Sequence, residues 1–192
     1  MTSVLKVDNI QSSGGTAAIS VDSGGKVTFP NTLLQLGMAD QWRLHTSHTA
    51  NTDITAWERP TDANGNDQLF AQLGTGMSVS SGIFSFPSTG YYAVFAHATI
   101  YAASGDGAAA MFCYVTEDNG TTWVASNYSP EDGGSSGVNR GGASALNLYN
   151  ITDTSNQKIK FTGASLASGS EITGDANINR TYITVFRIAD AQ

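Results

Sequence analysis

The sequence predicts an all-β protein, and three observations lead to that fold class. First, apolar side chains alternate with small or polar ones, as in SGIFSFPSTGYYAVFAHATIY from Ser81 to Tyr101, and a period of two is typical of strands. Second, Gly, Ser, Asn and Pro interrupt the chain at short intervals, as turns between strands require. Third, the sequence has neither a long helical pattern nor a βαβ alternation, which argues against the parallel-sheet enzyme folds.

The first predicted domain is a short β arm, residues 1–36. Between Val4 and Asn31, short alternating runs are separated by Gly14-Gly15 and Gly24-Gly25, which are hairpin or tight-turn signals. The arm has too few large apolar residues to form a core, so its strands need neighbours to complete the sheet. We therefore expect the arm to be covered either by copies of itself, as in a trimer, or by a partner protein to which it attaches. Its candidate attachment residues are Leu5, Val7, Ile10, Ile19, Val21, Val27 and Phe29.

The second predicted domain, residues 37–192, contains many short strands in succession. The strand segments are QWRLHTS, DITAWER, SGIFSF, YYAVFAHATIY, AAAMFCYVTEDNGTTWVASNY, ASALNLYNI, QKIKFTGASL and INRTYITVFRI. Thr32 to Asp40 is the expected connector before them. Pro87 to Gly90 is predicted to be a corner between two strands, and Asn119-Gly120 a hairpin turn. This number of strands suits a β-sandwich of jelly-roll size.

Composition limits the partners and the compartment. Only 13% of the residues are charged, the net charge is -7, and the nine basic residues are scattered, so we expect no nucleic-acid binding. The sequence has no apolar run long enough to span a membrane, and it does not begin with a basic segment followed by an apolar one. We therefore expect no membrane insertion, and synthesis and folding in a cytoplasm.

The sequence offers little support for catalysis or metal binding. Cys113, the single cysteine, stands in the apolar run AAAMFCYV and is expected to be a buried small side chain. His45, His48 and His97 have no cluster of other potential ligands around them. Asp62 to Asp67 has part of the spacing of a calcium loop but lacks its glycine and its closing glutamate. We expect a non-enzymatic protein without a cofactor or a metal.

The three tryptophans allow two interpretations. Trp42, Trp57 and Trp123 could stack on sugar rings in a receptor site, since exposed aromatic rings suit that use. Each of them also lies beside aliphatic residues in an apparent strand, so packing in the core or between subunits is favoured. Glycan binding stays open, without a named site.

The order of the motifs in the second domain is distinctive. A Gly-x-Phe strand leads into a corner with Pro and Gly, an aromatic strand follows, a later hairpin carries Asn-Gly, and apolar strands close the domain. The matching residues are Gly82, Phe84, Pro87, Gly90, Tyr92, Asn119, Gly120, Leu146, Leu148 and Phe186. In this order the chain resembles the complement globular-head and tumour-necrosis-factor superfamily, over roughly Gln41 to Ala189. The family's Gly-Asp turn is replaced here by Thr152-Asp153-Thr154.

That resemblance implies a jelly-roll β-sandwich that forms a homotrimer. The strand from Tyr91 to Tyr101 is apolar on both faces, unlike a strand with one side in water. The resemblance implies that the face with Tyr92 turns to the core. The residues left for the trimer interface are Tyr91, Phe95 and His97.

The arm carries a second resemblance, through LKVDNIQSSGG followed by ISVDSGGKVTFPN. This stretch is similar to the N-terminal segment of many bacteriophage virion proteins, especially those of marine phages. The two resemblances imply a homotrimeric virion protein, a tail fibre or head fibre. Its arm would bind another virion protein, and its jelly roll would bind a glycan or protein on the host surface. Two alternatives remain: a capsid decoration protein without receptor binding, and a polysaccharide depolymerase, which would need paired carboxylates that the sequence does not reveal.

Overall fold

The regular elements in the described part of the chain are all β-strands. A computed structural model describes residues 9–11, 14, 17–21, 23–24, 27–28, 36–60, 72–131 and 139–192. The chain divides into two compact units, Met1–Leu36 and Gly37–Gln192.

The N-terminal unit contains one antiparallel sheet of three strands in the order β1-β2-β3. The strands are β1 (Asn9–Gln11), β2 (Ala17–Val21) and β3 (Val27–Thr28). Ile10 pairs with Ile19 across the first ladder, and Val21 pairs with Val27 across the second. The described parts of the alternating runs therefore form strands.

The second unit is a sandwich of two antiparallel sheets. Its strands are β4 (Met38–Leu44), β5 (Trp57–Glu58), β6 (Ser78–Ser80), β7 (Ile83–Ser85), β8 (Gly90–Ala102), β9 (Ala109–Thr116), β10 (Val124–Glu131), β11 (Asn139–Ile151), β12 (Lys158–Ala164), β13 (Glu171–Ile172) and β14 (Tyr182–Ala189). The six-stranded sheet has the order β11-β8-β14-β4-β5, with β13 paired to β8 beyond the end of β14. The five-stranded sheet has the order β10-β9-β12-β7-β6.

The core between the sheets is built from side chains that alternate with outward-facing ones. Trp42, Trp57, Phe84 and Phe161 form an aromatic cluster with edge-to-face contacts, the ring centroids lying 5.5–6.0 Å apart. This geometry is the one that aromatic quadrupoles favour. Two of the three tryptophans are thus core residues, as the sequence favours.

The Pro87 to Gly90 break is a corner between the sheets, as predicted. β7 before it lies in the five-stranded sheet, and β8 after it lies in the six-stranded sheet. The buried Tyr92 donates a hydrogen bond of 2.9 Å from its hydroxyl to the backbone oxygen of Ser88. Because that bond satisfies both a buried hydroxyl and a turn carbonyl, the aromatic strand itself holds the corner in place.

The turn between β9 and β10 also agrees with the sequence. Asn119 and Gly120 have φ values of 57° and 90°, which Asn and Gly tolerate better than other residues. The hydroxyl of Thr116 accepts a hydrogen bond of 3.0 Å from the backbone N–H of Gly120. The turn connects β9 and β10, which pair along their length.

Three predicted boundaries are wrong. β4 begins at Met38, inside the expected connector, and ends at Leu44, so His45 lies just beyond the strand although the predicted segment QWRLHTS includes it. The backbone N–H groups of Leu44 and His45 make the last bonds at this end of β4, to Thr181 and Ala56, and the pairing with both neighbouring strands stops there. The predicted strand DITAWER contains only the two residues of β5.

Candidate self-association surface

The outer face of the six-stranded sheet carries a continuous set of apolar side chains. On β8, Tyr92, Val94 and Ala96 are buried in the core, whereas the residues between them are half-buried. Successive side chains of a strand point to opposite faces, so Tyr91, Phe95 and His97 lie on the outer face. The alternation predicted for this strand is therefore present.

β14 adds two aromatic side chains to this face. Tyr182 pairs with His97 in the ladder, and Phe186 pairs with Ala93. The Tyr182 ring lies 5.3 Å from the His97 ring and 6.1 Å from the Phe95 ring, measured between centroids. These distances are within the range of favourable aromatic contacts.

β11 adds the most exposed part of the face. Leu146 pairs with Phe95 and Leu148 with Ala93, and the two leucines are 61% and 67% exposed. β11 is an edge strand of 13 residues, and a long, apolar edge strand is a template for association with another chain. We call the set Tyr91, Phe95, His97, Leu146, Leu148, Tyr182 and Phe186 the apolar outer face.

His97 lies near the middle of this surface. Its Nδ1 atom is 2.9 Å from the Ser144 hydroxyl on β11, and its Nε2 atom is 3.5 Å from the Thr99 hydroxyl. Partial burial lowers the pKa of His97 below the ordinary value of 6.5, because burial disfavours the charged form. The imidazole is thus kept neutral in surroundings of hydroxyls and aromatic rings.

Polar groups border the apolar outer face. Gln41 on β4 donates a 2.9 Å hydrogen bond to Thr184 on β14 and accepts one of 2.8 Å from Asn179. The Arg43 Nε atom forms an ion pair of 2.8 Å with Glu58 on β5. An apolar centre with a polar border is the usual arrangement of a protein interface.

The other residues singled out in the sequence lie elsewhere. Cys113 is buried, as predicted, and its Sγ atom is 3.4 Å from the Tyr149 hydroxyl. Burial raises the pKa of this thiol. Trp123 is half-buried and lies against Lys160, whose Nζ atom is 4.5 Å from the ring centroid. The segment Asp62 to Asp67, which has part of the spacing of a calcium loop, falls outside the described residues.

The candidate attachment residues of the arm are only partly described. Ile10 and Val21 are exposed, and Ile19 is half-buried. Val27 lies on β3. Leu5, Val7 and Phe29 lie outside the described residues.

Two further observations concern the described residues alone. No three His, Cys, Asp or Glu side chains among them are grouped closely enough to hold a metal ion. No helix in the described ranges is long and apolar enough to cross a membrane.

Sequence reasoning missed part of the apolar outer face. Leu146 and Leu148 stood out only as matches to a family pattern, and Tyr182 was not singled out. The signal was available in SALNLYN, where Ser144, Leu146 and Leu148 alternate with the side chains of the inner face. The sequence alone does not say which of two alternating sets faces outward.

Comparison with known proteins supports the fold. No protein-family model and no curated protein sequence matches the chain. The structure is similar to that of Eiger TNF from S. frugiperda, with a TM-score of 0.58 and 10% identity, covering 82% of this chain and 96% of that one. It is also similar to murine APRIL at pH 5.0, with a TM-score of 0.52 and 9% identity, covering 79% and 98%.

These likenesses show that the chain has a TNF-like jelly-roll fold. The sequence prediction of an all-β jelly-roll sandwich is confirmed.

Proposed function

We propose that the protein is a homotrimeric structural protein of a bacteriophage particle, a tail fibre or head fibre that displays its jelly-roll domain for attachment to the host. The observation that carries the self-association is the apolar outer face. Leu146 and Leu148 lie with most of their surface in water in the single chain, and a partner subunit would remove that surface from water.

The edge strand β11 supports the same assembly. β11 lies at the edge of its sheet and pairs only with β8 among the described strands, so its other edge offers backbone N–H and C=O groups to a neighbouring subunit. Three copies follow from the sequence resemblance, which implies a homotrimer.

The arm supports attachment to another virion protein. Its sequence resembles the N-terminal segment of bacteriophage virion proteins, and its sheet has exposed apolar side chains at Ile10 and Val21. A sheet this small has little stability on its own. A partner that covers its apolar side chains would therefore supply most of the stabilising free energy. In this proposal the protein is made in the host bacterial cytoplasm and functions on the virion.

The proposed role is binding and not catalysis. Several copies on one particle would multiply a weak attachment, because each further contact is then intramolecular. Incubation of a host polysaccharide with the purified protein tests the depolymerase alternative. No shortening of the polymer is expected, and its cleavage would contradict the proposal.

The oligomeric state is tested by light scattering after size-exclusion chromatography, with the full chain at micromolar concentration. The expected mass is three times the chain mass of 20.0 kDa. A monomeric mass at this concentration would contradict the trimer.

The location is tested by imaging particles labelled with an antibody against residues 37–192. Label on a tail or head fibre is expected. Label spread over the capsid shell would favour the decoration alternative, and unlabelled particles would contradict a virion role altogether.

A further inference from the structure

The outer face of the five-stranded sheet carries a row of aromatic rings that the core does not use. Phe112 on β9 stacks on Tyr128 on β10, with a centroid distance of 5.2 Å and an angle of 22° between the rings. Tyr114, two residues along β9, lies 6.0 Å from Phe112 at 30°. The three rings thus follow one another in a row on the outer side of β9 and β10. Tyr128 at its end is 54% exposed.

The lysines of residues 37–192, Lys158 and Lys160, lie beside this row on β12. In the ladder with β9, Lys160 pairs with Tyr114, and its Nζ atom also contacts the Trp123 ring. Both lysines point outward, since Ile159 between them is buried in the core and successive side chains of a strand point to opposite faces. We call Phe112, Tyr114, Trp123, Tyr128, Lys158 and Lys160 the aromatic-lysine face.

The two lysines differ in how far their charge is neutralised. The Lys160 Nζ atom is 2.9 Å from a carboxylate oxygen of Asp53. Lys158 donates a hydrogen bond to the neutral side chain of Asn119 and forms no ion pair with any described residue. Lys158 therefore offers a positive charge to a ligand that lies along the rings.

Stacking rings next to a positive charge suit two ligand classes, acidic polysaccharides and single-stranded nucleic acids. Nucleic-acid affinity depends on neutralising many phosphates, whereas this face has two lysines, one of them ion-paired. A polysaccharide needs fewer charges, because the C–H groups of its sugar rings pack on aromatic faces and only its acidic groups need a cation. The observations favour the polysaccharide.

We propose that the aromatic-lysine face binds an acidic polysaccharide, with sugar rings on the aromatic row and a carboxylate or sulfate group at Lys158. The inference rests on the proposed function, since it names the site and the ligand class of host attachment. The two outer faces of a sandwich point in opposite directions, so a trimer formed through the six-stranded sheet would leave this face accessible.

The test uses the full chain and three immobilised polymers: alginate, which carries carboxylates, dextran sulfate, and neutral dextran. Biolayer interferometry is expected to show binding to at least one acidic polymer, no binding to dextran, and weaker binding as salt concentration rises. The acidic polymer that binds identifies the anionic group. Absence of binding to both acidic polymers, or equal binding to dextran, would overturn the inference.

Substitutions locate the site. Tyr128→Ala is expected to weaken binding about fivefold by removing a stacking ring, and Lys158→Gln about threefold by removing one exposed charge. The matched controls lie on the side of the six-stranded sheet, where Ile178→Ala removes an exposed apolar side chain and Arg140→Gln removes a charge that forms no ion pair with any described residue. Equal effects of test and control variants would also overturn the inference.

Failure of this inference can be told apart from failure of the proposed function. A trimer located on a phage fibre that binds neither acidic polymer would refute only the polysaccharide site. A monomer that binds an acidic polymer through Tyr128 and Lys158 would refute only the trimer. A protein that binds in this way but is absent from particles would refute only the virion role.

Discussion

Leu146 on β11 lies directly opposite Phe95 on β8, and both side chains point away from the core of the sandwich. The pair joins the exposed edge strand to the aromatic centre of the apolar outer face. Cross-strand apolar pairs of this kind stabilise a sheet when they are covered. Here Leu146 is mostly in water in the single chain. A second surface packed on the pair would therefore add to its stability.

Replacing Leu146 with Asp is therefore expected to dissociate the proposed trimer while leaving the subunit folded. The new carboxylate would be buried without a partner in the interface, which is costly, but would stay hydrated in the free subunit. Light scattering should show the mass of a single chain, and circular dichroism should show an unchanged β-sheet spectrum. Val124→Asp is the control, since Val124 is equally exposed at 61% but begins β10 of the other sheet. Val124→Asp should remain trimeric, and dissociation of both variants alike would contradict the assignment of the face.

The proposed trimer is expected to weaken as the pH falls through the pKa of His97 in the free subunit, which lies below the ordinary histidine value of 6.5. Burial lowers the pKa of His97 in the subunit, and burial in a trimer would lower it further. The dissociated chain then binds a proton first, so the trimer loses stability as the pH falls, until its own imidazoles are also protonated. Sedimentation velocity between pH 8 and pH 5 measures the dissociation.

His97→Gln should remove this pH dependence, whereas His45→Gln, a change at an exposed histidine, should leave it intact. A trimer whose dissociation constant is the same at pH 8 and pH 5 would count against a place for His97 in the interface.

Phe84→Ala is expected to lower the free energy of unfolding by about 3–5 kcal/mol, the usual loss for a large ring in a core. Phe84 is fully buried and contacts the rings of Trp42, Trp57 and Phe161. The neighbouring Ile83→Ala is the control, because Ile83 points to the opposite face of the same strand. Urea unfolding at a fixed chain concentration measures both variants. Similar losses for the two would mean that Phe84 is not a central core residue.

Deletion of residues 1–31 is expected to leave a soluble, folded trimer that no longer enters phage particles. The core and both outer faces of the sandwich belong to residues 37–192, so folding and trimerisation should not require the arm. Mass measurement of the truncated protein and immunoblotting of purified particles test the two halves of this prediction. Normal incorporation of the truncated protein would show that the arm is not the attachment segment.

The sequence by itself determined the local features of this protein. Alternation along β8 was sufficient to separate Tyr92 from Tyr91 and Phe95, because the side-chain period of a strand follows from backbone geometry alone. The corner at Pro87 and the turn at Asn119-Gly120 could also be predicted, because the backbone conformations that Pro, Asn and Gly favour depend only on these residues and their neighbours in the sequence.

Only the tertiary structure decided which strands are neighbours, and therefore which side chains share a face. Leu146 is 51 positions from Phe95, and Lys160 is 46 positions from Tyr114, yet each pair lies side by side in a ladder. Strand order and register depend on the packing of the whole core, in which a shift of one residue would move every side chain to the other face. For that reason the alternation in SALNLYN and in QKIKF was visible in the sequence, whereas the apolar outer face and the aromatic-lysine face were not.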